Sequence, residues 1–163
     1  MKPNERISLL VADVEDEIRN LEKLRAEFEQ LKERVDMGAR DASPYDRAVV
    51  GYYLHNFYNG CENIFRSIAR FFENDLSADS WHADLLKRMK LEVCGYRPHV
   101  IDDALFMILD DFRAFRHKFR HCYTFELDWA REKLIVEKYD AAHKGVVEQV
   151  HTFLDAVREI GDE

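Results

Sequence analysis

The chain has 163 residues, enough for one domain of ordinary size. Gly (6) and Pro (3) make up about 5.5 % of it, against roughly 12 % in an average chain, so turn chemistry is scarce; this excludes β-sandwiches, barrels and Gly-rich nucleotide folds and leaves an all-α chain. A hydrophobic content of 47 % can build a core, and a formal net charge of −8 speaks against a protein that coats nucleic acid by bulk charge.

The first helix is expected from about Asn4 to Met37. Ile7, Val14, Leu21, Phe28 and Val35 repeat every seven residues, and Val11, Ile18, Leu24 and Leu31 fill the alternate positions. Glu, Lys and Arg flank this stripe, as in a long bundle helix with one buried face. Ser43 then suits an N-cap and Pro44 a first helical turn, so a second helix should run from Pro44 to about Asp75. It is apolar on nearly all sides, with His55, Asn56, Asn59, Glu62 and Asn63 as polar exceptions, and belongs at the centre of a bundle or in a subunit interface.

A cap in Ser77–Ser80 and a short helix from Trp81 to about Lys90 follow, and Gly95-Tyr96-Arg97-Pro98 is the next break. The next helix is expected from about His99 to about Tyr123, with Ile101, Leu105, Ile108, Phe112, Phe115 and Phe119 as its apolar stripe. After a turn over Thr124 to Asp128, a last helix carries Tyr139, Val146, Val150, Phe153, Val157 and Ile160. Four long helices and one short one make an all-α up-and-down bundle.

The N-terminal sequence MKPNERISLLVADVEDE lacks the apolar segment of a leader, and the longest apolar run, Ala48 to Leu54, is far short of a membrane span. Cys61, Cys94 and Cys122 form no CxxC pair, so reduced thiols in a cytoplasmic protein are expected rather than a disulfide framework or a zinc ribbon.

The chemistry concentrates between Arg113 and His121. RAFRHKFRH holds three Arg, one Lys and two His and no acid, in a chain of net −8. At about 100° per residue, Arg113, Arg116, Arg120, His117 and His121 fall along one edge, with Phe112, Phe115 and Phe119 on another face. A solvated charged face normally mixes signs, so either this edge pairs with acidic helices of the same bundle or it takes an anion. Arg presents a rigid fork that matches phosphate oxygens, and His takes and gives protons near neutrality. His117 and His121 at i, i+4 could hold a metal, but no HExxH pattern or nearby carboxylate accompanies them, and neither a metal nor a cofactor is expected.

Arg116-His117-Lys118-Phe119-Arg120-His121-Cys122-Tyr123 reads R-x4-H-x-Y near the end of a late helix. This resembles the signature of HEPN-domain ribonucleases and, with its trailing Tyr, that of the HepT toxins. FRAFRHKFRHCYTFELDW and the earlier YYLHNFYNGCENIFRSIARFF are similar to HepT-like sequences, and the resemblance spans about residues 45 to 160. A single HEPN-like domain over 1–163 is expected, with a long N-terminal helix over 1–37 and the HepT-like part over 44–163.

The resemblance implies a metal-independent endoribonuclease toxin, acting as a homodimer whose paired motif helices line one cleft. Arg116 and His121 would be the catalytic pair. On an ideal helix they stand about 140° apart, so a second subunit or a helix break near His121 is needed to bring an Arg and a His together. Arg113, His117 and Arg120 would position RNA, and Asn59 and Glu62 would orient the Arg or His or serve as a buried hydrogen-bonded pair. The resemblance also implies an MntA-like nucleotidyltransferase antitoxin that transfers AMP to Tyr123, a residue that could equally pack against the core. The alternatives are an inactive HEPN module that docks the nucleotidyltransferase, and a plain helical interaction protein with an accidental motif.

Overall fold

The computed structural model describes residues 3–38, 40–73 and 81–161. Helix α1 spans Pro3–Glu29, α2 Lys32–Val35, α3 Pro44–Phe72, α4 Trp81–Met89, α5 Asp103–His121 and α6 Trp129–Gly161, with a 3-10 turn at Thr124–Glu126. The four long helices form the all-α up-and-down bundle expected from the sequence, and α4 is the short fifth helix. Among the described residues no strand forms; Val93 and Arg97 make one isolated bridge. The cap expected in Ser77–Ser80 lies outside the described residues.

Residue pairs fix the directions. Asn63 reaches Glu17 at 3.0 Å and Tyr53 reaches Glu27 at 3.2 Å, so α1 and α3 run antiparallel. Asp111 pairs with Lys138, and Gln149 reaches Asp102, so α5 and α6 also run antiparallel. Each long helix sends one aromatic ring to the centre. Phe57 of α3 lies 5.0 Å from Phe112 of α5 and 4.9 Å from Tyr139 of α6, and Tyr139 lies 4.8 Å from Phe28 of α1. Such edge-on contacts give the core directional packing as well as buried area.

Local chemistry explains the helix starts. Ser43 Oγ accepts from the Asp46 backbone N–H at 3.1 Å, Asp46 Oδ2 accepts from Ser43 N–H at 3.0 Å, and Pro44 opens the first turn. The Ser43 hydroxyl, which donates to Asp46 Oδ2 at 2.8 Å, and then the Ser43 N–H hold the Asp46 carboxyl below its usual range, with Arg34 assisting and burial opposing. Asp102 caps α5 by accepting from Leu105 N–H at 2.7 Å.

Four helix boundaries differ from expectation, the second helix ending at Phe72 rather than near Asp75 because Glu73 leaves helical geometry. The first helix breaks after Glu29: Gln30 and Leu31 bond three residues back, to the carbonyls of Glu27 and Phe28. A strict seven-residue repeat lags an ideal helix by about 20° per heptad, and tighter winding recovers about 20° per residue, which keeps Val35 buried. The fourth expected helix starts at Asp103 rather than near His99, because the Val100 and Ile101 N–H groups bond the Met89 carbonyl and so close the end of α4. It stops at His121 because Cys122 is extended (φ −105°, ψ 155°).

At the end of the bundle that carries the motif, α3 meets α5 over Gly51. A Cβ there would lie 2.6 Å from the Phe119 ring and 2.7 Å from Glu132 Oε1. Gly51→Ala should therefore destabilise the fold by about 1–3 kcal/mol in urea unfolding. An unchanged midpoint would show that the Phe119 ring yields without strain.

Candidate functional site

The buried line of α5 runs Leu105, Leu109, Phe112, Arg116, at i, i+4, i+7 and i+11. Arg116 thus takes the core-facing position one turn beyond Phe112 and is only 5 % exposed. Its guanidinium donates from Nη1 to Asn59 Oδ1 at 3.0 Å and from Nη2 to Glu62 Oε2 at 2.6 Å, and it sits 4.8 Å from the centre of the Tyr58 ring. The other Glu62 oxygen accepts from Arg66 at 2.9 Å, so one buried carboxylate bridges two guanidiniums. Burial first, and then the Glu62 charge, pushes the Tyr58 phenol above its usual range.

His55 extends this cluster. Asn59 Nδ2 donates to His55 Nε2 at 3.0 Å, which leaves the amide oxygen to accept from Arg116. The His55 ring packs 5.6 Å from Phe119. Burial, followed by the nearby charges of Arg116 and Arg120, holds His55 below its usual range, and its Nδ1 is buried with no hydrogen-bond partner among the described residues.

The remaining basic residues divide. Arg113 is half-buried and pairs with Asp110 of its own helix at 2.7 Å. His117, Lys118, Arg120 and His121 are exposed, and among the described residues Lys118, Arg120, His117 and His121 form no ion pair. The His117 and His121 rings lie 5.0 Å apart. The continuous cationic edge expected from helix angles is thus interrupted: Arg116 faces the core while His121 faces solvent, and one chain does not bring them together. The expected apolar face is also turned. Phe115 and Phe119 are half-buried and line a groove of about 310 Å³ between α5 and α6, with Leu127, Leu134 and Ile135 opposite.

Tyr123 does not pack against the core. The helix ends two residues earlier, and Tyr123 is 71 % exposed, stacked on Phe125. Beside Gly51 and the Phe119 ring lies a carboxyl that the sequence did not single out. Glu132 is 1 % exposed, and neither of its oxygens has a hydrogen-bond partner among the described residues. Burial pushes it up to about 8, with Arg47 opposing and Asp128 reinforcing. In the first turn of α6 it reads as an ordinary solvated acid facing the helix dipole, so no sequence signal marked it. His55 did leave a signal: His55, Asn59 and Glu62 fall at i, i+4 and i+7 on an otherwise apolar helix.

Among the described residues no group of three or more His, Cys, Asp and Glu could hold a metal ion, and no described helix is long and apolar enough to cross a membrane. A family model described as HepT-like protein matches residues 49–157. The chain belongs to the HepT-like family. The match includes the whole R-x4-H-x-Y segment and most of α3, and leaves α1 and α2 of this HepT-like protein outside it. No curated protein and no solved structure matches the chain.

Two predictions follow from the buried charges of this HepT-like protein. Removing Glu62 would strand the Arg116 charge in the core, so Glu62→Ala should cost about 3–5 kcal/mol. Asn59→Ala should cost about 1–2 kcal/mol, with both read by urea titration; equal losses would deny Glu62 its place as counter-ion. The folded Glu132 carboxyl keeps its proton up to about pH 8, whereas an unfolded one releases it near 4.3. Between those values the folded state binds more protons, so this group lowers stability as pH rises. Glu132→Gln should therefore leave unfolding unchanged near pH 4 and stabilise by on the order of 2–4 kcal/mol near pH 8. A pH-independent effect would contradict the assignment.

Proposed function

We propose that this HepT-like protein is the endoribonuclease toxin of a toxin–antitoxin pair, cleaving RNA without a metal in a cleft shared by two copies. The observation that carries this reading is the end of α5. There the motif supplies two exposed imidazoles 5.0 Å apart and two exposed cations without ion pairs among the described residues, in a chain of net −8. Two such ends facing each other would make one strongly positive cleft on an otherwise acidic surface.

His121 takes the proton of a ribose 2′-hydroxyl as its oxygen attacks the phosphorus. The 5′-oxygen leaves, receives a proton from a second imidazole, and a 2′,3′-cyclic phosphate remains. Arg116 stabilises charge on the phosphorane through the N–H groups not used by Asn59 and Glu62. Arg113, His117 and Arg120 position the backbone, and Asn59 and Glu62 fix the Arg116 fork. Tyr123 is the acceptor for AMP from an MntA-like nucleotidyltransferase antitoxin. Its exposure supports this, because a modified phenol beside the cleft would place bulk and negative charge where RNA phosphate sits. The chain is a single domain over 1–163 working in the cytoplasm.

A second reading is favoured by the burial of Arg116, whose two terminal nitrogens are both engaged within the bundle. In it, the chain is a catalytically inactive HEPN module that binds the nucleotidyltransferase. Expression without the nucleotidyltransferase separates the two. The toxin reading expects wild type to arrest growth and degrade RNA, and His121→Ala and Arg116→Ala to lose at least a hundredfold in cleavage. Because Arg116→Ala also opens a buried ion pair, the exposed His121 carries the test. Continued toxicity of folded His121→Ala, or no cleavage by the purified wild-type dimer, would sink the toxin reading.

A further inference from the structure

The turn after α5 exposes two aromatic rings that the reading above does not use together. Tyr123 is 71 % exposed and Phe125 77 % exposed. Their rings lie 5.3 Å apart with planes within 10°, an offset stack that leaves two flat outer faces. The turn holds them in place. Tyr123 N–H donates to the Glu126 carboxylate at 2.5 Å, the Leu127 N–H bonds the Thr124 carbonyl, and buried Leu127 anchors the segment to the bundle. Exposed aromatics on a rigid turn are a binding feature more than a folding one, since nothing in the core depends on them.

Their neighbours decide the ligand class. The stack follows directly on Arg120 and His121, and the α5–α6 groove that the same turn borders is lined by Lys118, Arg131 and Lys138. The acids of this region are largely engaged: Glu126 accepts from Tyr123 N–H, Asp128 caps α6 and pairs with Arg131, and Asp111 pairs with Lys138. Arg120 and Lys118 have no ion pair among the described residues. Flat apolar faces beside unpaired cations are what single-stranded nucleic acid requires, with bases on the rings and phosphates on the guanidinium and ammonium groups.

We propose that Tyr123 and Phe125 form a stacking platform for unpaired nucleobases of single-stranded RNA next to the cationic end of α5. The proposal rests on the reading of this end as an RNA site and adds how the strand is held. Stacking is tolerant of base identity, so the platform selects unpaired over duplex RNA and not one sequence over another. It also gives Tyr123 a use in the unmodified protein, and a group added to its hydroxyl would obstruct the same faces.

The test uses the full-length His121→Ala protein with a fluorescent oligoadenylate of about 10 nucleotides, and the same oligomer with abasic positions. Phe125→Ala should weaken oligoadenylate binding about tenfold, while Phe125→Trp binds as well as the parent. The salt dependence should keep its slope in Phe125→Ala, since no phosphate contact is lost, and flatten in Arg120→Ala. The abasic oligomer should bind the parent and Phe125→Ala equally. Phe125 is exposed, so folding is not at risk, and unchanged thermal unfolding verifies this. Unchanged affinity of Phe125→Ala alongside a weakened Arg120→Ala overturns the platform and leaves the RNA reading standing. A Phe125→Ala variant that alters dimer mass and not RNA affinity assigns the rings to a protein interface and also overturns it. Absence of RNA binding by the parent overturns both.

Discussion

The geometry of the motif-bearing end of the bundle depends on the ion pair that Arg116 makes with Glu62 in the core. A guanidinium so deeply buried is tolerable only with a counter-charge and partners for its donors, which Glu62, Asn59 and the Tyr58 ring supply. Because these partners sit on α3, the pair fixes the rotation of α5 about its own axis. Leu105, Leu109 and Phe112 then line up inward behind Arg116, and Phe115 and Phe119 are turned into the α5–α6 groove. His117, Lys118 and Arg120 are left facing outward as a consequence of the same rotation.

A second constraint acts at the end of the helix. Cys122 leaves helical geometry, so the residues after it follow a 3-10 turn instead of continuing around the helix axis. An exposed Tyr123 follows, as does the parallel stack with Phe125. Gly51 allows Phe119 and Glu132 to approach α3 closely, and the buried Glu132 carboxyl is held largely protonated near neutral pH. The rotation of α5 and the close approach at Gly51 together make this end of the bundle a rigid support for exposed basic and aromatic groups. The whole-chain charge of −8 is therefore compatible with an anion-binding surface, because positive charge is concentrated where α5 ends.

Much of this was legible in the sequence. Scarce Gly and Pro and long 3-4 apolar stripes gave the all-α class and the four long helices, because burial periodicity is local information. Ser43 and Pro44 marked the start of α3 to the residue, since capping chemistry is satisfied within one turn. The R-x4-H-x-Y spacing and the flanking segments carried the family resemblance. The helix angles placed Arg116 on one continuous cationic edge and left open whether that edge meets acids of the bundle or an anion, because counting 100° per residue cannot tell which cation comes within reach of a carboxylate on another helix. His55 shows the same gap, as its i, i+4, i+7 spacing with Asn59 and Glu62 was present but gained meaning only with Arg116 across from it.

The sequence by itself determined where the long helices lie to within a few residues, which of their residues are apolar enough to be buried, and where the basic motif lies, because propensity, capping and periodicity act over a few neighbouring residues. Only the tertiary structure decided which cation of that motif is buried and which stay exposed. It also decided that Tyr123 stands in solvent, that Glu132 is buried without a hydrogen-bond partner among the described residues, and that Gly51 marks a point of close contact. Each of these turns on a group brought close by folding from a distant part of the chain, Glu62 for Arg116 and Phe119 for Gly51, and the desolvation and Coulomb energies involved depend on distances that no single segment contains.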